Sequence, residues 1–215
     1  MKIAVLGTGV VGQTIADKLI SLGHQVKMGS RSATNEKATN WATQNGAEAS
    51  TGTFAEAAAF GELIFLATKG DATLDIIQQA GPDNFRNKTV IDISNPLDFS
   101  NGFPPFLSIT NTNSLGEEVQ TALPHAYVVK TLNTLSAHLM VAPGSLPEET
   151  SVFLSGNAAA GKAQARAILE SFGWQNIIDL GDITTARGTE QLLPLWVRLY
   201  AKLGTANFNF KIVLE

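Results

Sequence analysis

Residues 2–12, Lys2-Ile3-Ala4-Val5-Leu6-Gly7-Thr8-Gly9-Val10-Val11-Gly12, decide the fold. Ile3 to Leu6 is a short apolar run stopped by glycine, which reads as a buried parallel strand. Val11, Ile15, Leu19 and Leu22 then recur at helical spacing, with Gln13, Asp17 and Lys18 turned outward and Gly23 as the stop. Between strand and helix stands a G-x-G-x-x-G. Gly7 permits the tight turn, Gly9 lets backbone approach a pyrophosphate, and Gly12 lets helix and strand pack closely. The free N–H groups and the positive end of the helix then face the phosphates. Gly7, Thr8, Gly9, Val10, Val11 and Gly12 are therefore expected to bind a dinucleotide.

The next strand, His24 to Met28, selects the nucleotide. An acidic residue near its end would hold a ribose 2′-hydroxyl and so favour NAD. No Asp or Glu occurs between Lys18 and Asn35, and the strand runs into Gly29-Ser30-Arg31-Ser32. Arg31 can pair with a 2′-phosphate, and Ser30 and Ser32 can donate hydroxyl hydrogen bonds to it. NADP(H) is the expected cofactor.

Outward from there, strands alternate with helices. A weak strand near Glu48–Ser50, strands Leu63–Ala67 and Thr89–Ile93, and helices through Asn45, over Phe54–Phe60 and over Asp71–Ala80 follow. Ser30, Ser32 or Thr34 is the expected cap of the helix ending at Asn45. The pattern implies an α/β fold, a Rossmann-type doubly wound and mostly parallel sheet. Asn95–Asn113 reads as a long loop. Beyond it, Leu115–Leu123 reads as a helix and Tyr127–Lys130 as a strand. A loop at Pro143–Glu149, strands Val152–Leu154 and Ile177–Leu180, and a helix through Ala165 and Phe172 follow. A final helix over Thr184–Leu203, kinked at Pro194, and a terminal strand Phe208–Val213 complete the chain. One domain over residues 1–215 is expected, with a core at 1–140 and a small α/β portion at 141–215.

Ligands in such sheets sit at the carboxyl ends of the strands. Three tips should meet there: Ala67-Thr68-Lys69, Asn95-Pro96-Leu97 after Ile93-Ser94, and Lys130-Thr131-Leu132-Asn133-Thr134. Ala67, Thr68, Lys69, Asn95, Pro96, Leu97, Thr131 and Asn133 are the cofactor-binding expectations. Lys69 and Lys130 are the cations to test, and Asp92 reads as a structural hydrogen-bonding group. Of three histidines, only His138 follows a strand tip closely enough to approach a substrate. No catalytic residue can be named.

Composition narrows the classes. Apolar residues make up 44% and charged residues 16% of 215, which suits a sizeable core. A net charge of -4 argues against nucleic acid and anionic membranes as partners. With no cysteine there is no disulfide scaffold, thiolate metal site or thiol nucleophile. No histidine pair has zinc spacing, so no metal is expected. The opening residues are too short and too soon broken for a signal peptide, and no apolar run reaches the roughly 18 residues of a membrane span. A soluble cytoplasmic protein is expected.

Several motifs occur together in order. They are the glycine loop, Gly29-Ser30-Arg31, Asp92-Ile93-Ser94-Asn95-Pro96-Leu97, Val128-Val129-Lys130-Thr131-Leu132-Asn133-Thr134, Phe153-Leu154-Ser155-Gly156-Asn157, and Ala186-Arg187 followed by Glu190. In combination the chain resembles the 8-hydroxy-5-deazaflavin:NADPH oxidoreductases, and also the NADPH domain of the STEAP metalloreductases. The resemblance implies a Rossmann domain with a small C-terminal portion, forming a homodimer. It puts the pyrophosphate at Thr8, Gly9, Val10 and Val11 and the 2′-phosphate at Ser30 and Arg31. It puts the nicotinamide and its ribose by Thr68, Asn95, Pro96 and Thr131. Hydride would pass between two stacked planar rings, which needs alignment and water exclusion more than an acid or base.

The leading expectation is thus an NADP(H)-dependent oxidoreductase with a small-molecule hydride acceptor. Deazaflavin, flavin, an imine or carbonyl, and a metal chelate all stand as acceptors at this point. A non-catalytic NADP(H)-binding sensor or regulatory protein is the alternative.

Overall fold

The computed structural model describes residues 1–215. Strand β1 (Lys2–Leu6) feeds helix α1 (Val10–Ser21), and β2 (Gln25–Ser30) feeds α2 (Glu36–Asn45). Strand β3 (Ala49–Thr53), α3 (Phe54–Phe60), β4 (Leu63–Leu66), α4 (Thr73–Ala80) and β5 (Thr89–Asp92) follow. After a small hairpin, β6 (Leu97–Asp98) and β7 (Phe106–Leu107), come α5 (Leu115–Ala122), β8 (Tyr127–Thr131) and α6 (Ala137–Val141). The chain closes with β9 (Ser151–Gly156), α7 (Ala159–Phe172), β10 (Asn176–Asp179), α8 (Ala186–Gln191) and α9 (Leu193–Leu203).

Eight strands form one sheet in the order β10-β9-β8-β5-β4-β1-β2-β3, parallel except where β8 meets β9. Alternation along the strands splits the core in two, because successive side chains leave opposite faces. Ile3 and Val5 join Ile15, Leu19, Trp41 and Ile168 on one face. Ala4 and Leu6 join Ala57, Ile77, Val119 and Ala186 on the other. Strand order runs from β1 outward to β2 and β3 on one side and through β4 to β10 on the other. The crevice between the ends of β1 and β4 is therefore the switch point of the fold, the ordinary ligand position in an open parallel sheet.

Four expectations change. Helix α2 is capped by Asn35, whose side chain accepts from Ala38 N–H at 3.1 Å, and not by Ser30, Ser32 or Thr34. Those three are held in the turn leaving β2, where the Ser32 and Thr34 hydroxyls bond each other at 2.9 Å. The long loop Asn95–Asn113 contains the β6–β7 hairpin. Thr184–Leu203 is two helices, not one kinked helix. Pro194 cannot donate back to the Glu190 carbonyl, but it fits a first helical turn, so α9 starts afresh there. The terminal segment Phe208–Val213 is not a strand. Both edges of β9 are already taken by β8 and β10. The tail instead gives one backbone bond, Ser151 N–H to Phe210 O at 2.9 Å, and is otherwise held by side chains such as Asn209.

Candidate functional site

The three glycines of the first loop are not equivalent. Gly7 has φ +127°, and a Cβ built on it would lie 2.2 Å from the Ala67 carbonyl oxygen. A Cβ on Gly12 would lie 2.2 Å from the Gly7 carbonyl oxygen. These two close the loop against its own fold. Gly9 is different: a Cβ there meets no protein atom within 4 Å. Its space lies outside the protein, at the N-terminus of α1, which has no side-chain cap and no acidic residue in its first turn. Unpartnered N–H groups, a positive helix end and a backbone without a side chain form a cradle that fits a pyrophosphate.

At the end of β2 the hydroxyls divide. Ser30 is buried and its Oγ donates to Ser32 O at 2.5 Å, so its proton is already spent. Ser32 and Thr34 share a single hydroxyl–hydroxyl bond, which leaves one hydroxyl proton free between them. Thr34 is a candidate that the sequence reading placed only as a helix cap. Arg31 is exposed and enters no ion pair.

From this loop a cavity of about 750 Å³ opens toward the tips of β4, β5 and β8. Val11, Ile93, Leu135 and Met140 give it an apolar wall; Thr68, Ser94, Asn95 and Asn133 give it polar atoms. Asn95 Nδ2 donates to Asn133 O at 2.8 Å, and Asn133 Nδ2 donates to Asn95 Oδ1 at 3.0 Å. The reciprocal pair locks the β5 tip to the β8 tip and leaves further amide hydrogens to offer a ligand. Leu132, just before, sits at φ 60°, a left-handed conformation costly for a branched side chain. That turn ends β8 and brings Asn133 to the cavity. The Thr68 and Thr73 hydroxyls bond at 2.7 Å, and Thr73 donates onward to Lys69 O, so Thr68 is left as an acceptor. Gly70 permits close approach of this tip to the next: a Cβ there would lie 2.0 Å from Asn95 O. Lys69 is exposed at the rim, in no ion pair.

Three expected residues lie elsewhere. Thr131 turns toward β9 and donates to Phe153 O at 2.6 Å, away from the cavity. His138 faces the C-terminal tail, its Nε2 lying 3.2 Å from Asn207 Oδ1. Lys130 is fully buried and is no free cation: its Nζ lies 2.9 Å from Asp92 Oδ2, 2.8 Å from Glu190 Oε1 and 2.6 Å from Ser94 O. Burial pulls its pKa down, but the two carboxylates outweigh that and hold it above the usual lysine value. Asp92 also accepts from Ser94 N–H and Oγ, and Glu190 from the N–H groups of Leu115 and Gly116. The network ties β5, β8, α5 and α8 together beneath the Ser94–Asn95 tip. Leu135, Met140 and Phe99 line the cavity although nothing in their spacing marks them; α6, which carries Met140, is only five residues long.

The ionisable groups that line the cavity are Lys69, Asp71 and Asp98. The Ser100 N–H at 2.7 Å from Asp98 holds that carboxyl below its ordinary pKa, so it is an anion rather than a proton donor at neutral pH. No helix is long and apolar enough to cross a membrane.

This geometry agrees with what the chain is similar to. A family model described as "NADP oxidoreductase coenzyme F420-dependent" matches residues 2–96, from β1 to the β5 tip. The crystal structure of a candidate F420-dependent NADP reductase from Arthrobacter sp. fb24 is 50% identical over 100% of both chains, with a TM-score of 0.96. The chain belongs to this family of F420-dependent NADP oxidoreductases. Its class is accordingly NADP-dependent oxidoreductase, with a Rossmann-type fold. The metalloreductase STEAP3 of Rattus norvegicus is 27% identical over 91% of this chain, which spans 38% of the length of that curated relative. An imine reductase from Streptomyces aurantiacus has a TM-score of 0.67 at 21% identity, covering 95% of this chain and 64% of its own, a likeness of fold.

Proposed function

We propose that this oxidoreductase moves a hydride between NADP(H) and a planar small-molecule acceptor of the deazaflavin or flavin kind. The observation that carries the reading is the cavity itself. It adjoins the Gly9 cradle, is walled by apolar Leu135 and Met140, and holds amide groups for orientation. Once bound here, NADPH would supply a hydride from its nicotinamide, with the accompanying proton drawn from solvent. Gly7 to Gly12 hold the pyrophosphate on the α1 N-terminus. Arg31, with the Ser32–Thr34 hydroxyls, takes the 2′-phosphate. Lys69 at the rim lends positive charge, Leu97 lines the cavity and Ala67 the space beside Gly9, while Pro96 gives its carbonyl to the Ser108 N–H at 2.9 Å and acts through the tip it belongs to. The spare hydrogens of Asn95 and Asn133, with Thr68 as acceptor, complement a carboxamide. Val11, Leu135 and Met140 exclude water from one ring face.

The test is NADPH oxidation against a panel of a 5-deazaflavin, riboflavin and FMN, with NADPH deuterated at C4. Appearance of the label in a reduced deazaflavin supports the reading. Tight NADPH binding with no probe reduced would sink it in favour of a non-catalytic NADP(H) sensor.

Cofactor choice is tested separately. Arg31→Ala should weaken NADPH by about 1–3 kcal/mol, the scale of a charge-assisted hydrogen bond, and leave NADH nearly unchanged. Equal losses for both nucleotides would contradict the 2′-phosphate role. We place the protein in the cytoplasm, as a homodimer. The exposed apolar edge of α9 supports that assembly: Leu195, Tyr200 and Leu203 are 49%, 44% and 55% accessible.

A further inference from the structure

We infer that Phe99 is the acceptor-side wall of the cavity, an aromatic face that stacks on the acceptor ring and so sets preference for planar substrates. The inference rests on the oxidoreductase reading above and goes further, to one side chain that sequence reading had passed over as part of a loop.

Three phenylalanines lie exposed on the β6–β7 hairpin: Phe99, Phe103 and Phe106, at 58%, 59% and 60% accessible. Leaving three such rings in water forgoes roughly 25 cal/mol for each Å² that burial would have removed. Of the three, Phe99 alone lines the cavity, together with Leu97, Asp98, Ser100 and Ser108 of the same hairpin. The hairpin fixes its backbone. Asp98 accepts from Ser100 N–H at 2.7 Å on one side, and Phe99 O accepts from Gly102 N–H at 2.8 Å on the other. Gly102, at φ 84°, completes the turn in a conformation suited to glycine.

The hairpin base is bonded to the same tip that orients the nicotinamide in the reading above. Leu97 N–H donates to Asn95 O at 2.8 Å, and Ser108 N–H donates to Pro96 O at 2.9 Å. Phe99 and Asn95 thus belong to one hydrogen-bonded unit. The apolar wall of Val11, Leu135 and Met140 and the ring of Phe99 are parts of the same cavity lining. A flat ring presented to the Phe99 face gains stacking that a small carbonyl or a chelated metal ion does not.

The readout is binding, independent of turnover. Riboflavin and 5-deazariboflavin fluorescence quenching is titrated on the enzyme saturated with NADP⁺, for the wild type, Phe99→Ala, Phe99→Tyr and Phe103→Ala. Phe99→Ala should raise the probe Kd on the order of 5- to 150-fold, the range of aromatic stacking on a planar base. Phe99→Tyr should restore it. Phe103→Ala, an equally exposed ring outside the cavity, should leave it unchanged, and the Kd for NADPH should not move in any variant. If the wild type binds the probes and Phe99→Ala binds them equally well, the Phe99 assignment is overturned and the oxidoreductase reading stands. A Phe103→Ala loss matching that of Phe99→Ala would likewise overturn the assignment, in favour of a general effect of the hairpin. If the wild type binds neither probe, both are overturned.

Discussion

Lys130→Met is expected to destabilise the protein by about 3–5 kcal/mol, because it strands the carboxylates of Asp92 and Glu190 in the interior without a cation. Against a total stability of order 5–15 kcal/mol, this is the largest single loss the fold offers outside its apolar core. Thermal unfolding should shift down by roughly 6–20 °C for a chain of this size. The sign with pH follows from the direction of the lysine shift. Its folded pKa lies above the ordinary value, so its stabilising contribution is complete at neutral pH and is lost only as pH rises through that folded value. A double substitution, Lys130→Met with Glu190→Gln, should cost less than the sum of the two singles, as members of one network do. Chemical denaturation of the four proteins measures this. A Lys130→Met protein within about 1 kcal/mol of wild type would mean that the pair contributes nothing the solvent could not supply.

The effect should also reach the ligand. Lys130 Nζ holds the Ser94 carbonyl at 2.6 Å, one residue before Asn95. Loosening that carbonyl is expected to weaken NADPH binding modestly even at temperatures where the variant stays folded. Lys130 is in this sense a positioning residue.

Gly9→Val is the second large effect, and it should fall on binding alone. Gly9 has φ -77°, which a residue with a side chain adopts readily, and its Cβ direction is open. The fold should therefore tolerate the change, with unfolding within about 1 kcal/mol of wild type. The added side chain would occupy the cradle, and both NADPH and NADH should bind about 100-fold more weakly or worse, equivalent to roughly 2.7 kcal/mol. Gly7→Ala and Gly12→Ala make the contrast: each drives a methyl group into a backbone carbonyl oxygen 2.2 Å away, so each should unfold the loop as well as abolish binding. Unchanged nucleotide affinity in Gly9→Val would remove the pyrophosphate assignment.

Much of this was legible in the chain because the signals are local. A strand, a glycine turn and a helix lie within the first two dozen residues, and each leaves its own mark: an apolar run, a stop, a 3.6-residue period. The missing acid after β2 and the presence of Arg31 are likewise neighbours in sequence. The misreadings came where a partner was distant or a local rule was ambiguous. Thr131 and His138 follow or end a strand tip, as a site residue would, but Phe153 and Asn207 take their polar atoms. Phe208–Val213 has the composition of a strand but lies against β9, both of whose edges are already paired. Asn35 outcompeted three hydroxyl residues as the cap because the turn after β2 had already used them.

The glycine loop shows the division most clearly. The sequence by itself determined that a dinucleotide site opens this chain, that NADP(H) suits it, and that a doubly wound sheet carries it, since those depend on residue types at fixed short spacings. The motif gives the three glycines separate roles, but it names none of the atoms that impose them. Only the tertiary structure supplies those atoms: a Cβ on Gly7 or Gly12 would meet a carbonyl oxygen of Ala67 or of the turn itself, and one on Gly9 would meet none. The same holds for Lys130. Parallel pairing of β5 with β8 sets Asp92 directly beside Lys130, and α8 then delivers Glu190 from sixty residues further on. Charges that read as separate along the chain become one buried network, because register and packing, and not proximity in sequence, decide which of them meet.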